Sequence, residues 1–332
     1  CRAIYNLTWF SASYKEMRGG QVSTQVYTPS RTKTVSPSLW QRLFNQEAIT
    51  AYIFILPSLI GFLAFFAIPA VRAFQISFTE WNLLRAPKYI GLENYQELIG
   101  DPVFWNSLKV TLQYVVWNIP LQTVLALFMA VVMDRVTKSM AVRGILVMPY
   151  LMSNVIVALI WLWLLDPNLG FVNLLIQKLG LGKQPFFVSL EQAIPTIAGV
   201  NVWRHMGFNA LLFYAGIQSI PKSFYEAATI DGAGEWAMFR RITLPLLRPV
   251  TVFVLVTSLV GSFQIFDTVA VTTQGGPVDA SRVVVYYIVQ NAFAFSKFGY
   301  ATAMSVVLFF ILVLVTLLQM RILRGNTSDL SS

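Results

Sequence analysis

Asn201, His205, Phe208, Ser258, Ser262 and Gln264 stand inside two long apolar stretches, with Arg204 and Asp267 beside them. Their types suit recognition of a hydroxyl-bearing solute. Amides, hydroxyls and a carboxylate match pairs of ring hydroxyls, and an aromatic face takes the apolar side of a sugar ring. Ser258 and Ser262, four residues apart, suit close helix packing in a bilayer equally well, and His205 equally suits a bond to its own helix. Arg204 and Asp267 are expected to form a buried ion pair, because ionisable groups at that depth need a partner or a cavity.

Catalysis is not expected. One His and one deep carboxylate supply no nucleophile with a base. There is no glycine-rich loop ending in Lys-Ser or Lys-Thr to hold a nucleoside triphosphate. The single cysteine, Cys1, allows no internal disulfide, and one Cys with one His gives no metal-ligand spacing.

The elements that must carry these side chains are membrane helices. The chain is 56% hydrophobic and 12% charged, about half the charge of a soluble domain. Its apolar runs predict six spans, at roughly 50–78, 106–133, 145–165, 191–217, 249–272 and 299–320, each near the length that crosses a bilayer core. Alternating the loops between two sides puts fifteen Lys and Arg on one side and six on the other, so both termini are expected to be cytoplasmic. The predicted organisation is a cytoplasmic tail over 1–48, a transmembrane domain over 49–323 and a short cytoplasmic tail over 324–332. Within the first tail, Leu39 to Ala48 reads as a short interfacial helix, and residues 1–30 lack the apolar core of a cleavable signal peptide.

Pro57 and Pro69 should kink the first span rather than break it, and Asn118 and Pro120 should interrupt the second. The segment Glu80 to Trp105 reads as short interfacial helices with Trp81, Tyr89, Tyr95, Phe104 and Trp105 at the headgroup level.

Between the fourth and fifth spans lies a polar segment, residues 220–249. Ser223 with Glu226 has capping-box spacing, so a helix is expected to start at Ser223. Ala227 and Ala228 leave its surface open to close approach, and Gly232 should end it in the left-handed conformation. Trp236, Phe239 and Ile242 then mark one face of a second helix, and Pro245 and Pro249 should break it.

The spacing Glu226-Ala227-Ala228, then Asp231-Gly232, then Leu244-Pro245 resembles the EAA loop of permease subunits of bacterial ATP-binding-cassette importers. Gly91-Leu92-x-Asn94-Tyr95, Phe263-x-x-Phe266-Asp267 and Thr273-x-Gly275-Gly276-Pro277 resemble segments of the sugar-type (maltose and glycerol-phosphate) permeases, and the likeness covers about 270 residues. The resemblance implies an all-α type I importer permease in the bacterial inner membrane, with residues Ser223, Glu226, Ala227, Ala228, Asp231, Gly232, Leu244 and Pro245 in a cytoplasmic coupling helix and its surroundings. It implies a second permease subunit, two ATPase subunits that bind ATP and Mg, and an extracytoplasmic solute-binding protein, with no cofactor in this chain. In relatives of the maltose type the solute sits between the fourth and fifth spans. Asn201, His205, Phe208, Ser258 and Ser262 fall at matching positions, where Asn201 and Ser258 keep the expected polar type. A carbohydrate is the expected cargo. Glycerol 3-phosphate or a glycerophosphodiester is the alternative, with Arg204 to offset the phosphate, and an ion-coupled secondary transporter is the rival of another class. Such carriers usually show internal repeats and coupling carboxylates, neither of which is evident here.

Overall fold

The computed structural model describes residues 46–135 and 139–324. The expected interfacial helix over Leu39 to Ala48 and the two tails fall almost wholly outside them. The chain divides into two units, residues 1–61 and 62–332. Of the first, residues 46–61 belong to helix α1, Gln46–Phe62, which passes Pro57 without a break.

The second unit continues through a π-helical turn, Leu63–Ala67, into α2, Ile68–Ile76. A proline ring crowds the carbonyl four residues back and offers it no N–H. The wider turn just before Pro69 takes up that mismatch, with Ile68 N–H donating to the Leu63 carbonyl. The span is thus unbroken at both prolines, with a wider turn ahead of the second.

A small hairpin follows, β1 (Thr79–Glu80) antiparallel to β2 (Lys88–Tyr89), with Thr79 opposite Tyr89. Next come α3 (Glu93–Gly100) and α4 (Pro102–Arg135, 34 residues). At 1.5 Å per residue α4 is about 50 Å long, well beyond a bilayer core. It runs through Asn118 and Pro120 unbroken, which corrects the expected interruption.

Further along are α5 (Met140–Leu151), α6 (Asn154–Leu164), α7 (Phe171–Lys178) and α8 (Ala193–Gln218). Then follow α9 (Lys222–Ile230), α10 (Glu235–Met238), a π turn over Phe239–Thr243, α11 (Leu244–Leu246) and α12 (Arg248–Phe263). The chain closes with α13 (Asp267–Thr272), α14 (Val284–Val289) and α15 (Phe298–Arg324).

Among the described residues, four stretches are long and apolar enough to cross a membrane: Tyr52–Ile76, Pro102–Arg135, Arg248–Thr272 and Phe298–Leu323. The pair α5 and α6, bent by 94°, makes a fifth if counted as one broken span. The expected count of six therefore depends on α8. Its 26 residues suffice in length, but Asn201, Arg204, His205 and Asn209 keep its hydropathy below that of a lipid-facing helix.

Apolar burial drives helix association weakly inside lipid, so close packing of small residues and interhelical hydrogen bonds decide the arrangement. α4 is the central pillar and packs most extensively on α8. Ala126 and Ala130 of α4, one turn apart and fully buried, meet Ala210 and Phe213 of α8 and Leu247 and Val254 near α12. Further along α4, Tyr114 packs with Ile197 and Val200 of α8, and Phe104 and Val115 pack with Met304 and Leu308 of α15. Phe104 is fully buried, so it is a core residue and not the headgroup anchor expected.

The Gly91-Leu92-x-Asn94-Tyr95 segment has a structural role here. Gly91 takes φ +64° ahead of α3. Buried Asn94 donates through Nδ2 to the carbonyls of Ser77 (2.9 Å) and Thr79 (3.0 Å), and the Tyr95 hydroxyl meets Ser77 Oγ at 2.7 Å. These bonds tie the end of α2 to the hairpin and α3.

Asp101 ties three more helices together. Its Oδ1 accepts the N–H groups of Val103 and Phe104 at the start of α4, and its Oδ2 accepts the hydroxyls of Tyr287 and Tyr300, each at 2.7 Å. Burial pushes this carboxyl up, but the bonds from Tyr300, Tyr287, Phe104 and Val103 outweigh burial and hold it below its ordinary value. Because the folded state binds the proton less readily than the unfolded chain, Asp101 stabilises the fold fully above about pH 4 and loses that contribution as pH falls through its lowered value. Asp101→Asn is expected to destabilise the protein by about 2 kcal/mol at neutral pH. Melting curves of the purified protein should show the gap to wild type closing below about pH 4; a gap that persists there contradicts the assignment.

Candidate functional site

Two broken helices open a polar cleft beside α4 and α8. One break lies at Met152–Ser153 between α5 and α6, and the other at Gln264–Phe266 between α12 and α13. The cleft has a volume of about 380 Å³. Asn201, His205, Phe208, Ser258, Ser262 and Gln264 all line it, so the structure brings together the whole predicted solute set, and Asp267 joins them. Asn118 and Gln122 of α4, and Tyr150 and Asn154 at the first break, also line it. Sequence reading missed these four. A signal was present for two of them: Asn118 and Gln122 are four apart in an apolar helix and must share a face.

Arg204 does not line the cleft, and its expected ion pair with Asp267 is not formed. The three ion pairs among the described residues are Arg135–Glu235, Arg282–Asp279 and Lys297–Glu97. Instead, one guanidinium nitrogen of Arg204 donates to the carbonyls of Tyr150 (3.2 Å) and Met152 (3.0 Å), while the other meets His205 Nε2 at 3.0 Å. The physical reason is the bend between α5 and α6. It frees carbonyls at the end of α5 that need donors in a medium without water, and a guanidinium spans two of them better than it reaches a carboxylate. Asp267 takes Asn154 as its partner, with Nδ2 donating to Oδ2 at 2.6 Å.

The other polar side chains are cross-linked. Asn118 donates to Ser262 Oγ at 2.9 Å, Gln122 to Ser258 Oγ at 3.3 Å, and Asn201 to the Tyr114 hydroxyl. Ser262 is 2% exposed, so helix packing accounts for it better than open solute contact does. Ser258 is half-buried and Gln264 exposed. His205 Nδ1 bonds the Asn201 carbonyl at 3.0 Å. Since Arg204 can only donate, the ring accepts on Nε2 and donates from Nδ1. Both nitrogens are engaged, so His205 is not free to act as a general base. Tyr150 and Phe208 stack with centroids 4.4 Å apart and planes 10° from parallel, an aromatic wall on one side of the cleft. Amides, hydroxyls, one carboxylate and this wall can bind a polyhydroxylated ring.

The second site is the polar segment that follows α8. Pro221, φ −58°, occupies the N-cap of α9, with no side-chain capping bond. The helix thus begins at Lys222, one residue earlier than expected, and the Ser223–Glu226 capping box is not formed. Proline's fixed φ sets the entry, placing Ser223 inside the first turn, where its hydroxyl no longer faces the orphan amides. The predicted stop is observed. Gly232 has φ +75°, its N–H bonds the Thr229 carbonyl at 3.1 Å, and Ala233 N–H bonds the Ala228 carbonyl at 2.9 Å. That bond pair is a Schellman motif.

Pro245 and Pro249 do not act as expected. α10, the π turn and α11 form one continuous run with Pro245 inside it, the π turn again preceding the proline, and the break falls at Leu247. Tyr225 and Thr243 hydroxyls meet at 2.9 Å, and Arg135 pairs with Glu235 at 2.5 Å, so α9 and the run after it hold each other and the end of α4. Ser223, Glu226, Ala227, Asp231, Gly232, Leu244 and Pro245 are exposed and Ala228 half-buried. Trp236 stacks on Phe239 yet stays 72% exposed. The two helices are thus bonded to each other, and Ala227 lies exposed beside Glu226.

Residues 122–327 match the family described as binding-protein-dependent transport system inner membrane component. The chain is 32% identical over 308 residues to the arabinooligosaccharides transport system permease protein AraP of Bacillus subtilis, covering 89% of this chain and 97% of that one. It is 32% identical over 286 residues to the sn-glycerol-3-phosphate transport system permease protein UgpA of Agrobacterium fabrum, covering 85% and 97%. Among solved structures it resembles a chain of a bacterial alginate ABC transporter in complex with an alginate pentasaccharide-bound periplasmic protein. That match has a TM-score of 0.74 and 26% identity over 88% of this chain and 99% of that one.

Proposed function

The chain belongs to the family of binding-protein-dependent transport system inner membrane components, and on that premise we propose that it forms half of the path by which a carbohydrate crosses the membrane. The observation that carries this reading is the polar cleft between α4, α8 and α12, whose wall holds all six predicted solute residues. Similarity to AraP and to the alginate transporter supports a saccharide cargo. Similarity to UgpA supports a second reading, glycerol 3-phosphate, but Arg204, the cation that would offset a phosphate, does not line the cleft and turns one nitrogen to the α5 break and another to His205.

In this reading a second permease subunit supplies the other half of the path, and a solute-binding protein delivers the cargo on the side opposite the termini. Two ATPase subunits hydrolyse ATP with Mg and grip α9 on the cytoplasmic side, so this chain does no chemistry. Closure of the ATPase pair displaces α9. The Schellman stop, the Tyr225–Thr243 bond and the Arg135–Glu235 pair carry that displacement to the end of α4, and the bundle opens or closes the cleft as a body.

Reconstitution with the partner subunits in liposomes tests the proposal. Saccharide uptake should require ATP and persist when ion gradients are collapsed; uptake that follows an ion gradient without ATP would sink it. Gly261 lines the cleft, and a Cβ there meets nothing within 4 Å. Gly261→Phe should therefore fill the path without disturbing the fold and cut uptake by at least about tenfold; undiminished uptake would remove the cleft from the path.

A further inference from the structure

We propose that an apolar groove between α4 and the run after α9 is a binding site for one anionic phospholipid, with an acyl chain along α4 and the headgroup phosphate at Arg240 and Arg241. The groove has a volume of about 510 Å³ and is walled by Val124, Leu127, Phe128 and Val131 of α4 and by Trp236 and Phe239. Val124, Phe128 and Trp236 are 65%, 61% and 72% exposed. Its charged lining among the described residues is Arg135 and Glu235, which pair with each other at the end of α4.

Dimensions select the occupant. Val124, Phe128, Val131 and Arg135 step by four, three and four residues, so the groove follows one face of α4. From Val124 to Arg135 that face rises about 16 Å, close to one leaflet of a bilayer core about 30 Å thick. The whole length belongs to a stretch able to cross a membrane, so its surroundings there are hydrocarbon. A helix of equal length, about 10 Å across, occupies more than twice the groove volume and would ride on the rim. An extended acyl chain is thin enough to lie within it.

Charge selects the headgroup. The groove ends at Trp236 and Arg135, and an indole is favoured at the depth where hydrocarbon gives way to headgroups. Arg240, four residues after Trp236, and Arg241 beside it are both exposed. Glu235, the one carboxylate of the run, is matched by Arg135, and neither Glu226 nor Asp231 of α9 pairs with Arg240 or Arg241, because the ion pairs among the described residues are the three given above. Two guanidinium groups at a membrane surface attract anionic headgroups, and their fork of N–H donors matches a phosphate.

Photolabelling tests the site. The assembled importer is placed in phosphatidylcholine nanodiscs with a small amount of a phospholipid that carries a diazirine in one acyl chain, used once as phosphatidylglycerol and once as phosphatidylcholine. After illumination the labelled peptides are mapped. The glycerol form is expected to label Val124 to Val131, or Trp236 and Phe239, at least about fivefold more than the choline form. Phe309 and Phe310 of α15, 59% and 56% exposed, supply the control for lipid that merely surrounds the protein, and the two forms should label them alike. Arg240→Gln with Arg241→Gln should bring the forms within about twofold in the groove, and Arg240→Lys with Arg241→Lys should keep most of the preference. Absence of label in the groove, a preference no greater than at Phe309 and Phe310, or a preference that survives the Gln pair overturns the inference.

Discussion

Replacing Gly207 by alanine is expected to prevent stable folding of the bundle. A Cβ at Gly207 of α8 would lie 1.8 Å from the Leu146 carbonyl oxygen, 2.6 Å from its carbon and 3.3 Å from Val147 N, all backbone atoms of α5. No rotamer change relieves such a contact, so the helices must separate. Overpacking a core ordinarily costs about 1–3 kcal/mol, and backbone against backbone leaves less room to relax, so a loss of at least about 3 kcal/mol is expected. Separation would also pull apart the Tyr150–Phe208 stack and lengthen the Arg204 bonds to Tyr150 and Met152, because both span the same two helices. Gly199, on the same helix with nothing within 4 Å of its Cβ, supplies the control. Gly199→Ala should be neutral or stabilise by up to about 1 kcal/mol through helix propensity. Purification yield and thermal midpoint in detergent measure both; equal behaviour of the two variants would show that the α5–α8 contact yields more easily than its geometry implies.

That contact was invisible in the sequence, and the reason separates what could be read from what could not. Features carried by neighbouring residues were legible. Gly232 as a helix stop needs only its own conformational freedom and two local bonds, and the wider turn before Pro69 follows from one ring. Membership of the importer permease family was legible because its motifs are short and fixed in spacing.

Where two local signals competed, the stiffer one prevailed. Pro221 fixed the entry to α9 and displaced the Ser223–Glu226 box, since a ring-locked φ yields less than a hydroxyl bond worth about 1 kcal/mol. Choices between distant partners were not legible. Depth alone brought Arg204 near Asp267, but it gave no warning that a bend 50 residues earlier would release the Tyr150 and Met152 carbonyls to compete for the guanidinium. The same holds for Ser258 and Ser262. Their spacing allowed packing or solute contact, and the decision came from Gln122 and Asn118 on another helix. The polar residues of the cleft wall were found more readily than their contacts, because a polar group in an apolar span is conspicuous whatever it touches.

Ala227→Trp is expected to uncouple the importer. Ala227 is exposed on α9, between Glu226 and half-buried Ala228, on a helix whose own cap and Tyr225–Thr243 bond do not involve its side chain. An indole there meets solvent in the isolated chain, so the fold should be unchanged and the melting temperature should stay within about 2 °C of wild type. In the assembly proposed above, the same group would stand where the ATPase subunit is proposed to approach the backbone. Loss of a well-packed interface centre commonly costs about 2–4 kcal/mol, or about thirtyfold to a thousandfold in association. The variant should therefore purify with the second permease but with little ATPase, and ATP-driven uptake should fall at least about thirtyfold. Ala227→Ser adds one atom and should retain most of both. If Ala227→Trp binds ATPase and transports as wild type does, α9 faces no partner there, and the force that drives the cleft must enter the bundle elsewhere.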